Sequence, residues 1–302
     1  MFKPACMLSL FVLLLLQGCV SGVQRTPLTE QTAKTIQSTN FYNLVIQDEV
    51  RPAVQLSNVT GAMGGGLIPA LIDASVNKGR SQSARDSMNH FYAATDDFDF
   101  RALHSEEMNA AIDNALPLKI KKAPAEFILL SNKEREKRIS ALAKGEALLY
   151  TSTIYAFVDE SRLLVNESMV YIYTKPAKLT KNTKPIFYNR YVYVSDAKGA
   201  GGADSLSLWG ADGGSAFRSS MEESSKVLAE LISMDIKAQK NKFCGKPVKA
   251  GIVFMARVNP TNVTLLEERN NRAWVQDSSG VLHSVPVSSI SAAPKAKAQK
   301  CG

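Results

Sequence analysis

Three β-rich segments, residues 147–158, 162–173 and 185–195, constrain this chain more than anything else in it. Each is rich in β-branched and aromatic side chains. Short polar connections separate them, Asp159-Glu160-Ser161 in the first case and the Pro/Lys/Asn-rich stretch 175–184 in the second. A parallel return needs a dozen or more residues of crossover, so segments joined this closely pair antiparallel. In the third, Ile186, Tyr188, Arg190, Val192 and Val194 alternate with Phe187, Asn189, Tyr191 and Tyr193. Both faces are then largely apolar or aromatic, which predicts a central strand covered on two sides. The aromatic stripe reads as core packing rather than as a sugar-stacking platform.

Helices flank these strands. Ser131 stands three before Glu134, a capping box that opens a helix running to about Lys144. Ser219 and Ser220 stand three before Glu222 and Glu223, and Val227, Leu228, Leu231, Ile232 and Ile236 follow at helical spacing. That helix should lay its apolar face on the sheet. The Gly/Ser-rich stretch 199–214, which contains Trp209, reads as a loop. Further upstream, a helix is expected over 100–116, with Asp97 or Asp99 near its positive end. A helical rhythm also runs through Leu67, Ile68, Leu71 and Ile72 and again at Met88, Phe91 and Tyr92. Strands are expected at 41–46, 54–59, 117–121 and 126–130. The glycines of 61–66 lack the lysine and hydroxyl of a phosphate loop, and the apolar stretch after them is too short to span a membrane. They read as a place of close helix packing.

The last fifth of the chain stands apart. Short strands at 248–258, 263–267, 273–276 and 281–287, with turns at Asn259-Pro260, Asn270-Asn271 and Ser278-Ser279-Gly280, have the spacing of a small SH3-like β-barrel. The expected fold class is therefore α+β: an antiparallel sheet with packed helices, followed by that barrel.

At the other end, Lys3 precedes an apolar run from Leu8 to Leu16, which is too short to cross a bilayer and has the form of a removable signal peptide. It closes on Leu16-Gln17-Gly18-Cys19, which resembles the lipobox of bacterial lipoproteins. The resemblance implies cleavage before Cys19, a diacylglyceryl thioether on its sulfur and an acyl chain on its amine. Two or three chains together give a durable membrane anchor. With Val20 rather than an aspartate after the cysteine, the family's sorting pattern implies the outer membrane, with the folded part facing the periplasm. Residues 20–40, rich in Thr, Ser and Gln, read as a flexible tether. The expected organisation is thus a signal peptide (1–18), a tether (19–40), an α+β domain (41–243) and a small β module with a basic tail (244–302). Strand, helix, three antiparallel strands and helix across 126–240 resemble the α+β domains of envelope lipoproteins that export curli or activate peptidoglycan synthases. The Tyr-rich strand, the Trp209 stretch and the long helix are also similar to a group of uncharacterised bacterial lipoproteins.

If Cys6 leaves with the signal and Cys19 is acylated, Cys244 and Cys301 remain, in a compartment where disulfides form. A barrel of about 45 residues has a marginal core. A Cys244–Cys301 bridge would close a loop of 57 residues and add about 4 kcal/mol in the chain-entropy picture.

Charge and catalytic inventory bound the function. The net charge is +8, and from Lys246 onward eight basic residues stand against three acids. Lys295, Lys297 and Lys300 read either as an anion-binding tail, suited to peptidoglycan carboxylates or lipopolysaccharide phosphates, or as a solvated one. Nucleic acid is disfavoured by the compartment, and Lys78, Arg80 and Arg85 read as a solvated face. The chain has three histidines, His90, His104 and His283, and no G-x-S-x-G, H-E-x-x-H or C-x-x-C. His104 lies beside Glu106 and Glu107 without a second histidine at i+4. No catalytic residue, metal ligand or cofactor is therefore expected. The expected function is a non-enzymatic binding or assembly component of the envelope, attached to the membrane through Cys19. The alternatives are a peptidoglycan- or lipopolysaccharide-binding module and an envelope hydrolase. A hydrolase would need His90 or His104 beside a carboxylate or serine in a cleft.

Overall fold

The computed structural model describes residues 24–45, 47, 49–52, 86–115, 119–122, 131–177, 183–238, 243–254 and 257–292. In chain order these form α1 (Glu30–Ala33), β1 (Ser38–Val45), β2 (Arg51–Pro52), α2 (Asn89–Thr95), α3 (Phe100–Ala115), β3 (Lys119–Lys122), α4 (Asn132–Ala141) and β4 (Glu146–Val158). Then come β5 (Leu163–Thr174), β6 (Phe187–Val194), α5 (Gly202–Ala238), β7 (Lys246–Phe254), β8 (Arg257–Arg269), β9 (Arg272–Gln276), β10 (Leu282–Pro286), a 3-10 turn (Val287–Ser289) and β11 (Ile290–Ala292). The strands and helices expected within 54–85 and at 126–130 lie outside the described residues.

The three long segments pair as their short connections require. β4 runs antiparallel to β5 from Ala147↔Thr174 to Val158↔Leu163, and β5 runs antiparallel to β6. The turn Asp159-Glu160-Ser161 closes with all three residues at positive φ. Ser131 caps α4, its Oγ accepting from the Glu134 N–H at 3.1 Å. Around this hairpin the sheet becomes mixed, because β1 runs parallel to both β4 and β3, and β10 runs parallel to β6. Each of those pairs joins strands far apart in sequence, so helices and loops supply the crossovers that parallel pairing demands.

Alternation along the strands gives the sheet two apolar faces. Val170, Ile172, Phe187, Tyr191 and Tyr193 pack with Leu228, Leu231, Ile232 and Ile236 of α5 and with Met108 and Ile112 of α3. On the opposite face Ile154, Val165, Val192 and Val194 pack with Val248, Ile252, Val263, Val275, Val281 and Val285. Leu148 and Tyr173, also on that face, pack with Ile139 and Leu142 at the end of α4.

The expected barrel is corrected by this arrangement. The described residues form one open sheet of eleven strands in the order β11-β7-β8-β9-β10-β6-β5-β4-β1-β3, with β2 paired beside β4, and it does not close into a barrel. Leu282, His283 and Ser284 align with Tyr191, Val192 and Tyr193, so the C-terminal strands continue the sheet. The physical reason is the apolar face of β4–β6, which these strands cover. Asn259 and Pro260, expected in a turn, lie inside β8, paired with Ile252 and Gly251.

The tether is corrected as well, from residue 24 onward. Thr26 forms a two-way antiparallel bridge with Tyr188, at 2.8 and 2.9 Å. Leu28 is buried in the main core, and Thr29 caps α1. Ser38–Val45 is already a strand. The stretch 199–214 is mostly helical rather than a loop: α5 starts at Gly202 and is interrupted only at Ala211–Gly214.

Candidate functional site

A cavity of about 270 Å³ opens where the segment before β2, α2, the start of α3, β4 and α5 meet. Its wall is aromatic: Phe91 and Tyr92 from α2, Phe98 from the following loop, Phe100 from α3, Tyr155 from β4 and Phe217 from α5. Val50 and Thr95 complete the apolar lining, and Glu49 and Asp96 bring carboxylates to it. The rings brace one another edge to face, with centroids 5.0 Å apart for Phe91–Phe217, 5.7 Å for Phe98–Phe217 and 4.7 Å for Phe100–Tyr155. Phe157 backs the wall, 5.3 Å from Phe91 and 5.4 Å from Trp209.

Local sequence sets this geometry. Gly213 and Gly214 break α5 in left-handed backbone, at φ +67° and +74°. A Cβ on Gly214 would come within 2.5 Å of Thr95 Cγ2, so glycine lets α5 approach α2 there. The break re-aims the helix, whose early arm buries Leu206 and Trp209 and whose later arm brings in Phe217. Tyr92 is fixed by donating its hydroxyl to the Val50 carbonyl at 2.9 Å. Arg218 lies over the Phe98 ring, 5.3 Å from its centroid, and donates to Asp97 and to the Gly213 carbonyl. That hydrogen bond from Arg218 holds the exposed Asp97 carboxyl below its usual range. The cavity therefore combines aromatic surface with carboxylates, a composition suited to binding.

The histidines lie elsewhere. His90 is exposed on α2. His104 is wholly buried, its ring stacked on Phe100, with Nε2 2.9 Å from Thr153 Oγ1 and Nδ1 3.2 Å from Ser225 Oγ. Burial pushes its pKa down to about 3, so the ring is neutral at ordinary pH. Ser225 is buried too, and this His–Ser contact belongs to the core rather than to a cleft. His283 Nε2 meets Asp277 Oδ2 at 3.2 Å. Burial raises the Asp277 pKa, but the hydrogen bonds from His283 and Ser279 outweigh it, and the net shift is downward. Among the described residues no three His, Cys, Asp or Glu side chains are grouped to hold a metal.

A second polar centre pins the N-terminal segment. Asp235 of α5, fully buried, accepts from Arg25 Nε at 3.0 Å, from Arg25 Nη2 at 2.5 Å, from Asn189 Nδ2 at 2.6 Å and from the Tyr191 hydroxyl at 2.8 Å. Burial, and then the adjacent Asp235 charge, push the Tyr191 pKa well up, so its phenol stays a donor. The Arg25 guanidinium also lies 5.2 Å from the Phe243 ring centroid.

Of the residues singled out in the sequence, Cys19, Lys295, Lys297, Lys300 and Cys301 lie outside the described residues. Cys244 lies just before β7. The aromatic cavity was not among the expected sites. Its sequence signal is the run Thr95-Asp96-Asp97-Phe98-Asp99-Phe100, in which acids and aromatics alternate within an otherwise basic chain. No family model matches the chain, and no curated protein matches it.

Proposed function

We propose that this protein is a lipid-anchored lipoprotein of the outer membrane, facing the periplasm, and that it acts by binding rather than by catalysis. The observation that carries the reading is the short apolar run that closes on Leu16-Gln17-Gly18-Cys19. The docked N-terminal segment adds a consequence. With Arg25 fixed to Asp235, only residues 20–24 separate an acylated Cys19 from the folded body, a reach of about 20 Å when extended. The body is then held at the bilayer surface rather than on a long leash. No helix among the described residues is long and apolar enough to cross a membrane; in this reading the acyl chains on Cys19 make the attachment. The aromatic cavity is the binding site in this reading, with the basic C-terminal end available to anionic envelope material. Pairing of Cys244 with Cys301 is part of the same proposal and follows from an oxidising compartment.

The test is Cys19→Ala in cells fed an alkyne-tagged fatty acid. The wild-type chain is expected to carry the label and to partition into detergent on phase separation, and the variant to do neither. An unlabelled wild-type chain, or a variant with unchanged mature mass and partition, would overturn the assignment.

A further inference from the structure

We propose that the aromatic cavity binds a small organic cation, an ammonium group carried on an apolar stem. The proposal extends the reading of the protein as a binder and is independent of its lipid anchor. Aromatic rings draw a cation to their faces through their quadrupole, most strongly where water is displaced. Phe91, Phe98, Phe100, Tyr155 and Phe217 supply that surface around one cavity. The wall already holds one cation in this way, the Arg218 guanidinium on Phe98, and Asp97 balances its charge. Asp96, next in sequence, is exposed and adds a carboxylate at the lining, so an incoming cation has both a ring surface and a counter-charge. An anion would meet the Asp96 charge instead. A neutral apolar guest would fill the space without using the carboxylate. The volume is at the small end of ligand sites, which suits a single ring or a short aliphatic chain with one charged end.

The experiment is calorimetric titration of the full mature chain as it is isolated from cells, in non-ionic detergent, with protein-free micelles as the blank. Three probes share a phenyl ring and differ in charge: 2-phenylethylammonium, 2-phenylethanol and 3-phenylpropionate. The ammonium is expected to bind about tenfold more tightly than the alcohol, and the propionate to give no saturable heat. Asp96→Asn, at an exposed position, should cut the ammonium's advantage about threefold and leave the alcohol unchanged. Phe98→Leu should weaken the ammonium more than the alcohol. A fourth probe, Nα-acetyl-lysine methylamide, separates sources. Binding equal to that of the phenyl amine marks a lysine side chain of a polypeptide as the guest, and weaker binding marks a free amine. The proposal is overturned if the alcohol matches the ammonium, if neither variant alters the ammonium titration, or if no probe gives saturable heat. A failed acyl label leaves this titration standing, and a failed titration leaves the label standing, so the two readings fall separately.

Discussion

Among the described residues no charged side chain stands beside His104 to hold a proton, and burial disfavours one. Its ordinary value of 6.5 is pushed down to about 3 by burial. The unfolded chain binds a proton below about pH 6.5, whereas the folded chain resists it until near pH 3. Stability is therefore unaffected above the unfolded value and is lost as pH falls through that window, by up to about 1.4 kcal/mol per pH unit. His104→Gln keeps a side chain able to hydrogen-bond Thr153 and Ser225 but removes the titration. Its urea midpoint is expected to change less than the wild type's between pH 6.5 and 4.5, whatever its absolute value. Parallel midpoint curves for the two proteins would show that His104 is not the titrating group. At this scale the sequence was largely silent. Glu106 and Glu107 beside His104 said nothing of Thr153 and Ser225, which tertiary packing brings to it, or of Ser168 behind Thr153. Arg25 was equally silent, since it sits in a polar stretch and its partner lies 210 positions away.

At the scale of elements, α5 teaches most about what local pattern can and cannot say. Its later arm was legible from Leu228, Leu231, Ile232 and Ile236, all buried at helical spacing. Its early arm was read as a loop because serines and glycines favour turns. That reading failed because Trp209 and Leu206 bury themselves in the Phe157 cluster, and Trp209 Nε1 donates to the Ser161 carbonyl at 2.8 Å. Packing overrides propensity there. The break between the arms gives a paired prediction. A Cβ on Gly213 would meet nothing within 4 Å, so Gly213→Ala carries only the left-handed backbone penalty, about 1 kcal/mol. Gly214→Ala adds the encounter with Thr95 Cγ2 and should cost about 2 kcal/mol or more. It should also push α2 from α5 and weaken binding of the ammonium probe, which Gly213→Ala should leave in place. Thermal denaturation and titration of the two variants check both parts. Equal losses would mean that the close approach at Gly214 is not constraining.

At the scale of the whole molecule, the C-terminal strands were legible as strands, and the expected turns at Asn270-Asn271 and Gly280 close with these residues at positive φ. Their destination was not legible. Nothing local says that Leu282 to Ser284 will lie beside Tyr191 to Tyr193, or that valines from both sides of the chain will share a core. Arg272 makes the seam specific. Buried at the start of β9, it donates to the Val194 carbonyl at 2.5 Å and the Ser284 carbonyl at 2.9 Å, and its guanidinium lies 4.3 Å from the Tyr193 ring centroid. Glu223 of α5 stands 3.7 Å away and accepts from the Tyr193 hydroxyl at 2.6 Å. One arginine thus ties β9, β10, β6 and α5 together, and a chain joined this way should unfold in one step. The two tryptophans report on the two sides, Trp209 from α5 and Trp274 from β9. In each single-tryptophan variant, Trp209→Phe or Trp274→Phe, the fluorescence midpoint in urea should coincide with the circular-dichroism midpoint of the same protein. Arg272→Met leaves the buried Val194 and Ser284 carbonyls without their arginine donor, and should lower stability by about 2 kcal/mol while keeping the transition single. Two separated transitions, with Trp274 reporting a different midpoint from the rest, would mean that residues 244–302 fold as a unit of their own and that the seam is an interface rather than a core.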